Sequence, residues 1–221
     1  MIVSLMGLAS TVAAQASTSY TFTDTGHASA VLTFGNGTIT ITLTDLYVNP
    51  NDVSDNLSGF SFKTNVTPTT DSISSSSAAS VDVASNGTYT NTGTIAPGWG
   101  LTLTGAVTKL DDLGYAGPSN TIVGAPNSGN VYSNGCCSID GNGAHNPFLY
   151  ETATWTLAEA GVAPSTTVSD VSFMFGTTEG AKVEPGTLTS TTTTPEPATE
   201  AMVLGGLALI FAGRKYRQRS R

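Results

Sequence analysis

Residues 38–44 read Thr-Ile-Thr-Ile-Thr-Leu-Thr, an unbroken alternation of branched apolar and hydroxyl side chains. Successive side chains on a strand point to opposite faces, so Ile39, Ile41 and Leu43 share one face and the threonines the other. A helix would scatter the same three residues around its circumference. The segment therefore has to be a half-buried strand. Before it stands Ala30-Val31-Leu32-Thr33-Phe34, and between the two lies Gly35-Asn36-Gly37, residues that accept the positive φ of a tight hairpin.

The same pattern recurs along the chain. Further strands are expected over 20–23, 57–63 with Phe60 and Phe62 inward, and 80–84 with Val81 and Val83. Others are expected over 100–107 with Leu101 and Leu103, 151–157 with Ala153, Trp155 and Leu157, and 168–176 with Val171, Phe173 and Phe175 on one side. Before the C-terminal tail no stretch of helical period exceeds a turn or two. Short strands with threonine-rich outer faces predict an all-β body over 17–186, a single antiparallel β-sandwich of jelly-roll-like form. Between 107 and 148 the alternation dissolves into Gly, Pro and Asn, with a short strand expected near 121–123. Structureless insertions of that length are uncommon in compact domains, and are often functional or disordered. The serine run 72–77 reads as a flexible loop and 187–194 as a threonine-rich, stalk-like linker.

Charge narrows the partners. Residues 17–197 hold fifteen acids against three lysines, Lys63, Lys109 and Lys182. Such a body binds neither nucleic acid nor anionic lipid by charge. Five of the eight Lys and Arg residues fall in the last eight positions.

Both ends read as export signals. Residues 2–14 are small and apolar, and Ala14-Gln15-Ala16 fits a signal-peptidase site, so 1–16 is expected to be a signal peptide. No Lys or Arg precedes Lys63, so the usual basic n-region is missing; a true start upstream would account for that. At the other end, Pro195-Glu196-Pro197 is followed by the uncharged run 201–213 and then by Arg214, Lys215, Arg217, Arg219 and Arg221. As a helix, thirteen residues at about 1.5 Å each cover about 20 Å, short of the roughly 30 Å hydrocarbon core. Arg214 and Lys215 can snorkel and the bilayer can thin locally, so one short transmembrane helix is expected. The basic cluster keeps the C-terminus on the cytoplasmic side.

Polar segment, Pro-Glu-Pro, short apolar helix and basic end, in that order over 195–221, resemble the PEP-CTERM sorting signal of bacterial surface proteins. Exosortase, a membrane protease/transpeptidase, processes that signal. The resemblance implies export through the inner membrane, transient anchorage, and final delivery to the cell surface or its surroundings. More loosely, Asn142-Gly143-Ala144-His145-Asn146-Pro147-Phe148, the stretch Thr154-Trp155-Thr156-Leu157, and Phe173-Met174-Phe175-Gly176-Thr177-Thr178-Glu179-Gly180 resemble the ectodomains of PEP-CTERM proteins. That likeness implies a shared sandwich and no particular chemistry.

Catalytic signals are thin. The only histidines are His27 and His145; Ser138, Asp140 and His145 suggest a triad, but no G-x-S-x-G elbow supplies a strained nucleophile. Asp140-Gly141-Asn142-Gly143-Ala144-His145 opens like a calcium loop, yet lacks the donor at position 5, the glycine at 6 and the closing Glu. Asp52, Asp55 and Asn56 form a second loose oxygen cluster, and Asp111-Asp112 are expected to point apart on a strand. Cys136 and Cys137 are adjacent, with Cα atoms about 3.8 Å apart where disulfides usually need about 4.4–6.8 Å. A strained vicinal disulfide, free thiols and intermolecular bridges all remain open, and a zinc site is not expected.

The expectation is thus a non-enzymatic surface or matrix protein with a structural or adhesive role in exopolysaccharide material. No cofactor and no metal site are expected. Its partners would be exosortase, the membrane before processing, and polysaccharide. The alternative is a carbohydrate-binding module using Trp99, Tyr115 and Tyr132; a secreted hydrolase is the third option.

Overall fold

The computed structural model describes residues 16–67, 71–115, 117–133 and 138–194. The described residues are all-β and contain no α-helix. The first three strands are β1 (Ser17–Thr23), β2 (Ala28–Gly35) and β3 (Thr38–Asp45). A 3-10 turn (Val53–Asp55) leads into β4 (Leu57–Thr64), then β5 (Asp71–Val83), β6 (Tyr89–Ile95), β7 (Gly100–Thr104) and β8 (Val107–Asp111). The last five are β9 (Ile122–Val123), β10 (Phe148–Glu159), β11 (Val168–Phe175), β12 (Lys182–Pro185) and β13 (Thr187–Thr194).

The strands form two blocks. One runs β6-β5-β10-β3-β2-β1-β13 and the other β7-β8-β4-β11-β12. The two-residue β9 joins them, antiparallel to β4 at Leu57 and parallel to β10 at Leu149 and Tyr150. That parallel pair departs from the expected all-antiparallel order. Alternation then builds one shared core. Ile41 lies between Leu32 and Trp155 in register, and all three are fully buried. Phe60, Phe62, Phe173 and Phe175 come from the other block into the same cluster. Their rings lie close together, Phe60 and Phe173 at 5.4 Å between centroids. On the opposite face of β3, Thr42 and Thr44 meet Thr154 and Thr152 of β10, hydroxyl to hydroxyl at 3.1 and 3.2 Å. Apolar and hydroxyl rows each found their own kind.

Three segments differ from expectation. The serine run 72–77 is not a loop: it lies inside β5, antiparallel to β10, where Ser74 Oγ donates to the carbonyl of Thr156 at 2.9 Å. The threonine run 187–194 is not a free linker but β13, zipped antiparallel to β1 from Thr187 to Thr194. All eight of its residues are exposed, so backbone pairing rather than burial holds it. The stretch 100–107 is a hairpin rather than one strand, turned at Gly105 with φ 61.

Gly186 alone separates β12 from β13, and these belong to different blocks. Its N–H donates to Val171 O at 2.8 Å, and a Cβ there would sit 2.5 Å from Val171 Cγ1. The chain thus crosses from one block to the other where only glycine fits. At the far end of β13, Thr194 pairs with Ser17, so the first and last described strands start and finish side by side.

The long segment between β8 and β10 folds over one end of the sheets and makes a small apolar cluster of its own. Val123, Tyr132 and Ile139 pack there with Val53, Val81, Val83 and Phe148. Backbone bonds pin it: Asn49 N to Ala125 O at 2.7 Å, Tyr132 N to Gly87 O at 2.9 Å, and Gly141 N to Val83 O at 3.1 Å. Gly124 is squeezed hardest, since a Cβ there would lie 1.9 Å from Tyr47 O.

Candidate functional site

This end of the molecule gathers most of the polar residues singled out in the sequence. Asp52 caps the 3-10 turn, accepting from Ser54 N at 2.8 Å, and Asp55 accepts from Asn51 N at 3.3 Å. The hydrogen bond from Ser54 N, helped by the hydroxyl of Ser138, holds the Asp52 carboxyl below its ordinary range. Ser138 Oγ also accepts from Val53 N at 3.1 Å. His145 is drawn below the usual imidazole range by burial, against the opposing pull of the Asp52 charge.

The structure therefore brings Ser138, His145 and Asp52 into one neighbourhood, with Asp52 in place of the expected Asp140. No hydrogen bond joins Ser138 to His145 among the described residues: Ser138 Oγ accepts from Val53 N, and His145 Nδ1 has no hydrogen-bond partner. A serine is activated only when its proton points at the base. The loop 140–145 likewise turns on itself: Asn142 Nδ2 donates to Ser138 O at 2.8 Å, and His145 N donates to Asn142 O at 3.1 Å.

A second polar corner lies deeper, and reading the sequence missed it. Asp111 and Asp112 do point apart. Asp111 meets Lys109 Nζ at 2.7 Å, and Lys109 also reaches Glu179 at 2.6 Å. Burial alone would lower Lys109, but these two carboxylates hold it above its ordinary value. Asp112 turns inward. Its N–H donates to Ser58 O at 3.0 Å, its side chain is fully buried, and neither carboxyl oxygen has a hydrogen-bond partner. Burial, with Asp111 adding repulsion, pushes its pKa to about 8.

Ser58 and Trp99 flank Asp112, and Asn56, Asn120 and Thr121 are linked to these two by sequence or by hydrogen bonds. Gly100 pairs with Asp111 at the end of the β7–β8 ladder, and Trp99 and Asp112 are the next residues beyond it. Trp99 Nε1 donates to Asn120 O at 2.9 Å, and its ring lies 4.8 Å from that of Trp155. Asn56 Nδ2 donates to Thr121 Oγ1 at 3.1 Å, leaving Asn56 Oδ1 buried and unpartnered, as is Asn120 Oδ1. The Asp52, Asp55 and Asn56 cluster expected in the loop is thus split: Asp52 and Asn56 cap the turn at its two ends, Asp55 lies within it, and the Asn56 side chain is turned to Thr121.

The aromatic candidates divide as well. Trp99 and Tyr132 are core residues, 3% and 0% exposed, so they cannot stack on a sugar. Tyr132 Oη donates to Gly124 O at 2.9 Å. Only Tyr115 is presented, 56% exposed across Gly100, with its hydroxyl on Thr102 Oγ1 at 3.0 Å. Unforeseen is a stacked pair of half-buried rings, Tyr89 and Tyr150, with centroids 5.3 Å apart. Tyr89 Oη donates to Asn130 Oδ1 at 2.9 Å.

Cys136 and Cys137, Pro195, Glu196 and Pro197, and Arg214, Lys215, Arg217, Arg219 and Arg221 lie outside the described residues. So do the apolar run 201–213 and all but the last residue of the expected signal peptide. Among the described residues no helix is long and apolar enough to cross a membrane. No protein-family model, curated protein or solved structure matches the chain.

Proposed function

We propose that the chain is an exported bacterial surface or matrix protein: a jelly-roll-like β-sandwich delivered by a C-terminal PEP-CTERM signal and used as structural or adhesive material. In this reading residues 1–16 are the leader, 201–213 the transient membrane helix, and exosortase the processing partner. The carrying observation is the order of segments in the sequence: Pro195-Glu196-Pro197, the uncharged run 201–213 and the basic cluster from Arg214 to Arg221. The exposed strand β13, held by backbone pairing to β1, leads up to that motif. Hydroxyl rows on the outer faces favour a surface material.

Pro195 and Pro197 fix φ and disfavour helix at Thr194 and Glu196, leaving an extended strip beside the membrane. Changing both to Ala should leave full-length protein in the inner membrane, and mass spectrometry of the mature C-terminus should find a cut near the motif in the wild type only. Normal surface delivery of the double variant overturns this assignment. A second reading, binding of exopolysaccharide, has support in Tyr115 and in the Tyr89–Tyr150 pair beside Asn130. A glycan array on Tyr89→Ala and Tyr115→Ala variants tests it.

A further inference from the structure

We propose that the inner corner formed by Asp112, Asn120 and Asn56 is a binding site for a hard divalent cation, calcium in the first place. Three connections link these residues. Asp112 is opposite Ser58 on β4 through its N–H bond of 3.0 Å. On the same side of β4, Leu57 pairs with Ile122, the residue after Thr121. Asn56 then reaches Thr121 at 3.1 Å, and Asn120 is tied to the corner through Trp99 at 2.9 Å. Asp112 is one residue past β8 and alternates with Asp111 onto the side of Leu110, and both Asp112 and Ser58 are buried.

The hydrogen-bond inventory of this corner is lopsided. Both Asp112 carboxyl oxygens, Asn56 Oδ1 and Asn120 Oδ1 are buried without a donor, and Asp112 and Asn56 are each 0% exposed. Buried polar groups in folded proteins are nearly always satisfied, and a buried charge needs a partner of opposite sign. The nearest ammonium, Lys109, is spent on Asp111 and Glu179. Four acceptors without donors are what an oxygen-coordinated cation requires: a carboxylate able to bind through both oxygens, plus two amide carbonyls. Asn120 is held at φ 70, a left-handed conformation that Asn tolerates better than most residues. It is also half-buried, which leaves a path for water to fill the remaining positions.

With one carboxylate, the site belongs to the weak class seen in extracellular modules, with half-saturation expected at about 0.1–1 mM. The full-length chain is titrated with calcium chloride in a calorimeter and melted with calcium or with chelator. Calcium at tenfold excess over half-saturation should raise the melting temperature by about 3–6 °C. Magnesium, which demands a tighter octahedron, should do less. Asp112→Asn, nearly isosteric, should abolish the shift. Asn120→Gly keeps the backbone conformation, removes one ligand, and should weaken binding roughly tenfold; it decides the matter if Asp112→Asn does not fold. Asp52→Asn, in the capping turn, should bind as the wild type does. Absence of a calcium-dependent shift at 10 mM overturns the proposal and leaves a protonated Asp112 as the occupant of the corner. An undiminished shift in Asp112→Asn, or in Asn120→Gly, overturns it as well.

Discussion

Adding one methyl group at Gly124 tests how the long segment is held over the sheet end. The new Cβ would lie 1.9 Å from Tyr47 O, 2.8 Å from Tyr47 C and 3.1 Å from Asp45 Oδ1. The nearest obstacle is backbone, so no rotamer change relieves it. Ordinary contact begins near 3.4 Å, and one side must retreat by about 1.5 Å. That motion strains the Asn49 N to Ala125 O bond of 2.7 Å and the Tyr132 Oη to Gly124 O bond of 2.9 Å. Overpacking costs about 1–3 kcal/mol, and a buried acceptor left bare about 1–3 kcal/mol more. Gly124→Ala should therefore destabilise the 17–194 domain by about 2–6 kcal/mol, lowering its melting temperature by about 5–20 °C. Thermal unfolding followed by circular dichroism measures this, with Gly143→Ala, open on all sides, as the neutral comparison. If the two variants melt within a degree of each other, the close approach of Gly124 to Tyr47 is not what pins the segment.

Asp45 should make stability fall as pH rises. Burial raises its pKa well above the ordinary value despite bonds from Tyr47 N and Leu57 N, so the folded state favours the neutral acid. Its contribution is complete below about pH 4 and is lost as the pH climbs through the folded pKa. Urea unfolding from pH 4 to 8 should show a shallower slope in Asp45→Asn, and an unchanged slope refutes the assignment. Ile41→Asp would bury an unpaired charge between Leu32 and Trp155 and should unfold the domain, seen as loss of the β signal in far-ultraviolet circular dichroism. Replacing Arg214, Lys215, Arg217, Arg219 and Arg221 by Gln should let a C-terminal epitope tag reach the periplasm, because each cation contributes on the order of 1 kcal/mol of attraction to an anionic leaflet. Equal protection of the tag in both forms contradicts the anchor role.

Strands with one apolar face were legible in the sequence. Ile39, Ile41 and Leu43 on β3, and Val171, Phe173 and Phe175 on β11, are all buried as their period demands. Strands with two polar faces were not. The serines of β5 and threonines of β13 carry no amphipathic signal, and their pairing is dictated by distant partners, β10 and β1. The inner corner was hidden for a related reason. Adjacency alone gives the divergence of Asp111 and Asp112. That Asp112 is placed at Ser58, two residues from Asn56, depends on β8 leaving β4 there and β9 taking its place at Leu57. Reading 100–107 as one strand overlooked Gly105, whose φ of 61 turns the chain back.

The pairing of Thr194 with Ser17 decides how the molecule yields under tension. A pull on the C-terminal end meets the β1–β13 ladder at its last rung and opens it one bond at a time, like a zipper, instead of shearing every rung at once. Eight residues at about 3.3 Å each give about 26 Å of payout before the strain reaches Gly186. No side chain of β13 is buried, so that payout removes none of them from the core. Beyond Gly186 the load falls on β12 and its bonds to β11, next to Phe173 and Phe175. A body tethered through its C-terminus would thus give way softly and re-zip when slack, with its core untouched, acting as a reversible mechanical fuse.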